Sequence, residues 1–170
     1  MMMQVLAAGG LPVLSDGIRT ADQDNPRGYF ELEAVKRTKQ DPGWLIGSEG
    51  KVVKMIYALL TDLPTDRPYR VIMMRRKTET VLNSQAAMLE RLGQRGAELP
   101  AEKLASIYEQ QLQQVEDYMR RHSCFDFIEV WYGAVVNYPR TQLEAINRFL
   151  SGELDLDAMI AAVDPSLRRN

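Results

Sequence analysis

The stretch Pro68–Leu92, PYRVIMMRRKTETVLNSQAAMLERL, reads as strand, turn and helix, and the rest of the chain is organised around it. Tyr69 to Met74 is a nearly unbroken apolar run with β-branched Val71 and Ile72, the pattern of a strand buried on both faces of a parallel sheet. Such a strand needs a covering helix, and Val81, Leu82, Met88, Leu89 and Leu92 recur at the spacing that supplies one. Thr78 is placed to cap that helix, Glu79 lies in its first turn, and Gly93 marks its end. Arg75-Arg76-Lys77 then falls at the carboxyl edge of the strand, where ligands bind in open α/β sheets. Three cations beside the free N–H groups of a helix start make an anion site, to which Ser84 adds a hydroxyl two turns on. The alternative is a solvated basic turn.

A chain of 170 residues suits one domain, residues 1–170, long enough to bury about two thirds of its unfolded surface. Hydrophobic content of 45% with 26% charged residues is ordinary for a globular protein. A net charge of −2 provides no general basic field, so nucleic acid is not an expected partner. One cysteine, Cys124, and one histidine, His122, can build neither a disulfide framework nor a Cys/His zinc site within one chain. Their closeness lacks a nucleophile motif, and a plain thiol beside a surface imidazole is the simpler reading. No stretch reaches the roughly 20 apolar residues of a membrane span, and Met1 to Ala8 is too short and uncharged for a signal peptide, so a cytoplasmic protein is expected.

Met1 to Ala8 reads as a helix stopped by Gly9-Gly10, and Leu11 to Leu14 as a short strand. Ser15 to Gly28, rich in Asp, Asn, Gly and Pro, is expected to be loop. Tyr29 and Phe30 are placed to wall a pocket ahead of a helical segment, Leu32 to Lys39. Gly50 to Ile56 is a further strand candidate, with Lys51 and Lys54 as solvated ends. Leu104, Ile107, Tyr108, Leu112, Val115, Tyr118 and Met119 form one apolar stripe running from Pro100 to about Arg121. Phe125 to Trp131 is another strand, Pro139 to Leu150 a helix, and Leu156 to Val163 a last short helix.

Arg76 followed eight positions later by Ser84, at a strand-to-helix junction, resembles the 3′-phosphate motif of sulfotransferases that use 3′-phosphoadenosine 5′-phosphosulfate (PAPS). MMMQVLAAGGLPVLSDGIR, DNPRGYFELEAVKR, GKVVK, DFIEVWYGAVVNYPRTQLEAINRFL and AAVDPSLRRN look like successive parts of a bacterial sulfotransferase-like protein. The resemblance implies an α/β, three-layer P-loop NTPase-like fold, with a mostly parallel sheet flanked by helices. It also implies PAPS as co-substrate without a metal, and a hydroxyl- or amine-bearing small molecule or sugar as acceptor. Arg75, Arg76, Ser84 and the terminal Arg168 would hold the nucleotide. Asp16 and Arg19 stand where some sulfotransferases carry an acceptor-side acid and an arginine, with Glu31 a second candidate base. Against those roles stand an Asp-Gly turn with a surface arginine, and a glutamate that only favours a helix start.

In the resembled family a strand and a PRSGT-type phosphate loop precede the helix that begins here at Met1, and no such loop occurs in these 170 residues. The expectation is therefore a sulfotransferase-like domain with its first strand missing and its activity in doubt, or a non-catalytic nucleotide-binding or interaction module. A phosphoryl-transfer enzyme ranks third, since it too wants a phosphate loop. A missing central strand predicts self-association, with the Met1 helix displaced or mobile.

Overall fold

The computed structural model describes residues 1–21, 28–91, 93 and 99–164. Two strands, β1 (Tyr69–Arg75) and β2 (Phe125–Trp131), pair in parallel in one unbroken register from Tyr69 opposite Phe125 to Arg75 opposite Trp131. The connection between them carries α2 (Thr78–Arg91) and α3 (Ala101–Arg121). A helix α1 (Met2–Ala8) precedes them, and α4 (Tyr132–Asn137), α5 (Pro139–Phe149) and α6 (Leu156–Ala161) follow. The class is α/β, with helices on both faces of a small parallel sheet.

The two-residue period of the strands sorts the core into halves. Tyr69, Val71 and Met73, with Phe125 and Phe127, face α3, where they meet Leu112, Val115 and Met119 together with Leu45, Leu60 and Leu63. Ile72, Met74, Ile128 and Val130 face the other way, toward Val5, Leu6, Val135, Leu143, Ile146 and Met159. The apolar stripe of α3 is thus core, although Ile107 at its outer end is exposed.

Several expectations change on contact with the fold. The strands read at Leu11 to Leu14 and Gly50 to Ile56 shrink to a single parallel bridge, Val13 with Val52, closed by Leu14 N–H to Val52 O at 2.9 Å and Val52 N–H to Pro12 O at 2.8 Å. Pro12 has no N–H, and Pro64 soon follows the second run, so neither segment can extend a ladder far. Val52 still packs against the same buried apolar cluster as Ile72 and Met74. Only Met73 of β1 is fully buried, which makes the strand half-covered rather than buried on both faces. The segment from Leu32 is a short 3-10 helix over Glu33–Arg37, and α4, not foreseen, follows β2 directly.

The first helix is not displaced from the core: Val5 and Leu6 are wholly buried, and the chain leaves α1 in a close approach to α6. A Cβ on Gly9 would lie 2.6 Å from Met159 Cγ, and Gly9 O accepts the N–H of Asp155 at 3.0 Å, the residue whose carboxylate caps α6. No helix among the described residues is long and apolar enough to cross a membrane.

Candidate functional site

The strand alternation that builds the core also builds the basic junction. Odd-numbered residues of both strands face α3, and the last charged ones are Arg75 on β1 and Glu129 on β2. Glu116 comes down from α3 between Val115 and Met119 and meets them. Arg75 Nη1 stands 3.1 Å from Glu116 Oε1, and Arg75 Nε stands 3.2 Å from Glu129 Oε2. The Glu116 side chain is only 8% exposed, so its carboxylate is withdrawn from water while Glu129 stays partly exposed. The Arg75–Glu116 approach is an ionic contact without hydrogen-bond alignment, and both of its atoms are buried.

Arg76, one residue on, points away from that cluster and lays its guanidinium over the Tyr132 ring at 4.2 Å from the centroid. Lys77 is exposed, and its carbonyl accepts the N–H of Val81 at 3.1 Å as α2 begins. Thr78 is therefore inside the helix rather than its cap. Its hydroxyl donates instead to Glu109 Oε1 at 2.9 Å, so α3 holds the turn at a second point. Ser84 lies exposed on α2, a helix with no fully buried residue.

The second group is built by the loop ahead of the 3-10 helix. Asp16 accepts the N–H groups of Ile18 at 3.0 Å and Glu33 at 2.5 Å, and its own N–H donates to Glu31 O at 3.1 Å, which folds Ser15–Arg19 against Glu31–Glu33. Those backbone bonds, the one from Glu33 foremost, hold the Asp16 carboxyl below its ordinary value. Arg19 stacks on Tyr29, 3.4 Å from the ring centroid, and reaches Glu31 Oε1 at 3.4 Å. Lys54 reaches the same oxygen at 3.2 Å and donates to Tyr29 O at 3.1 Å. Phe30 is held at φ 52°, a left-handed conformation uncommon for a side chain of that size. A cavity of about 140 Å³ opens here, walled by Ser15, Gly17, Arg19, Tyr29, Phe30 and Glu31.

Of the residues expected to act on an acceptor, the structure joins Arg19 to Glu31 and engages Asp16 with backbone beside them. Of those expected to hold a nucleotide, Arg75 is occupied by two carboxylates, Arg76 precedes α2, Ser84 is exposed within it, and Arg168 lies outside the described residues. Two participants were not foreseen. Lys54, read as a solvated strand end, has no local signal, because its partners Tyr29 and Glu31 are more than twenty positions away. Glu116 did carry one: with Leu112, Val115 and Met119 it falls on the buried stripe, and a carboxylate there calls for a buried cation.

No family model matches this chain, and no curated protein and no solved structure was found to be similar to it. Fold and site define an α/β protein with a basic strand-to-helix junction and a separately built acidic-basic pocket.

Proposed function

We propose that this is a sulfotransferase-like protein whose β1–α2 junction binds the 3′-phosphate of PAPS or of its desulfated product, 3′-phosphoadenosine 5′-phosphate. The observation that carries this reading is the position of Arg76 and Lys77, between the carboxyl end of a parallel strand and the start of a 14-residue helix. Backbone N–H groups and the helix dipole favour an anion there, and a guanidinium adds a forked donor. Arg76 and Ser84 are the proposed phosphate ligands.

On the acceptor side Glu31 is a better base than Asp16, whose oxygens are taken by backbone N–H groups. An acceptor hydroxyl in the Tyr29–Phe30 cavity would bond to sulfur as the S–O bond to the 5′-phosphate breaks, its proton passing to Glu31. Arg19 and Lys54 would stabilise the sulfuryl oxygens. The pairing of Glu31 with those same two cations also favours a second reading, a nucleotide-binding module without turnover, because ion-paired carboxylates are weak bases.

Calorimetry of the chain with 3′-phosphoadenosine 5′-phosphate and with AMP tests the site. A charged hydrogen bond to phosphate contributes about 1.5–3 kcal/mol, so the 3′-phosphate should tighten binding about tenfold or more. Arg76→Ala should remove that preference. Equal affinities for the two nucleotides in the unaltered chain would overturn the proposal. Release of sulfate-free product from PAPS in the presence of small hydroxyl acceptors would favour the enzyme over the module.

A further inference from the structure

We infer that Glu116 and Glu129 are positioning residues: their clasp on Arg75 keeps that cation out of the ligand and fixes the β1–α2 turn so that Arg76 and the first N–H groups of α2 face the anion. This rests on the proposed 3′-phosphate site.

The geometry separates the two adjacent arginines by role. Arg75 lies on the α3 side of the sheet, with its Nε and Nη1 within ion-pair distance of carboxylates from two different elements. Arg76 follows on the opposite side of the chain and rests on an aromatic ring, which leaves its edge able to form new bonds. The guanidinium, with an ionic partner near each of two nitrogens, cannot turn toward a ligand without taking the counter-charge from the buried Glu116 carboxylate, which is costly. The clasp also sets the charge of the site. Arg75 with its two carboxylates carries one net negative charge, so attraction of a phosphate falls to Arg76 and Lys77 alone.

The turn itself is gripped twice from one helix face. Glu116 holds residue 75 and Glu109 holds residue 78, and the two glutamates are seven positions apart, two helical turns, so they lie along the same side of α3. A rigid helix therefore spans the turn that carries Arg76 and Lys77. Neither glutamate need touch nucleotide to control it. Preorganisation of this kind raises affinity by reducing the ordering that binding would otherwise require.

The test compares binding of 3′-phosphoadenosine 5′-phosphate and AMP to the unaltered chain, to Glu116→Gln and to Glu129→Gln. A positioning role predicts that Glu116→Gln loses most of the preference for the 3′-phosphate, about fivefold or more, while AMP affinity changes less than twofold. Glu129→Gln, at a more exposed carboxylate, should lose about threefold and carries the test if Glu116→Gln does not fold. If Arg75 were itself a ligand, releasing it would tighten binding of the 3′-phosphate nucleotide, and that result overturns the inference. A fall in melting temperature with an unchanged preference would also overturn it, leaving a purely structural ion cluster. A second arm needs no nucleotide: the amide resonances of Arg76, Lys77 and Thr78 should shift in Glu116→Gln before ligand is added. Unmoved resonances mean the clasp is wrong, whereas moved resonances with no nucleotide preference in the unaltered chain mean the ligand is wrong.

Discussion

Two clusters of paired charges among the described residues use similar residue types under different physics. At the β1–α2 junction, Arg75, Glu116 and Glu129 come from two strands and a long helix, and Glu116 is withdrawn from water. In the loop pocket, Arg19, Lys54 and Glu31 come from irregular segments and keep 45%, 38% and 26% of their side-chain surface exposed. Burial is what separates them. An exposed pair contributes little because water and salt screen it, while a buried pair is close to neutral when intact and very costly when halved. The junction is thus suited to holding a shape and the pocket to exchanging partners.

Halving each cluster gives the largest expected effect and breaks the comparison most directly. Arg75→Met leaves two carboxylates facing each other beside the core and should lower unfolding stability by about 3–5 kcal/mol, the range for unpairing a buried charge. Arg19→Met should cost no more than about 1 kcal/mol, since exposed ion pairs and exposed cation–π contacts each lie within that range. Urea unfolding of both variants measures the difference. Similar losses would mean that the two clusters differ in appearance only.

The same contrast explains what could be read in the sequence. β1, β2, α2, α3 and α5 were legible almost to the residue, because their signal is periodic and confined to a few turns or one strand. Long-range pairing was not. The apolar runs at Leu11 to Leu14 and Gly50 to Ile56 look like strands locally, yet only Val13 and Val52 meet as a ladder, which depends on what neighbours each run. α4 escaped because Tyr132 to Asn137 is short and rich in β-branched and turn-forming residues, and it forms by following directly from β2. In the site, Arg76 was singled out with Ser84 for the 3′-phosphate, but Arg75 was placed beside it among the nucleotide-holding cations. Strand alternation and the glutamate at position 116, a charged member of the apolar α3 stripe, are the signals that tell them apart.

A smaller effect sharpens the view of the pocket as a loop held in shape by backbone geometry. Gly28 sits at φ +86° with open space where a Cβ would go, so Gly28→Ala meets no neighbour and carries only the left-handed backbone cost, about 1–2 kcal/mol. Gly133 in α4 also has open space but an ordinary helical conformation. Gly133→Ala should therefore stabilise by roughly 0.5–1 kcal/mol. Opposite shifts in melting temperature are expected, and a neutral Gly28→Ala would show that the loop relaxes rather than resists.

The smallest expected effect is a pH response confined to the pocket. Asp16 is exposed, so global stability should hardly register it, but its carboxylate is the acceptor that ties Ile18 and Glu33 together. The bonds from Glu33 and Ile18 lower its pKa below the ordinary 3.8, so the folded loop binds the proton more weakly than the unfolded chain does. Its contribution is accordingly complete above pH 3.8 and is lost as pH falls through the lower folded-state value. The amide proton shifts of Ile18 and Glu33 should stay constant from neutral pH down to the ordinary aspartate range. They should then move together with one midpoint below 3.8. Asp16→Asn keeps an acceptor without a titrating charge and should show the pair already shifted at neutral pH, with no further step. The β1–α2 junction gives the control, since the amides of Arg76 and Lys77 have no bond to Asp16. If they moved with the same midpoint, the two clusters would be coupled, and their separation into a rigid junction and an exchangeable pocket would fail.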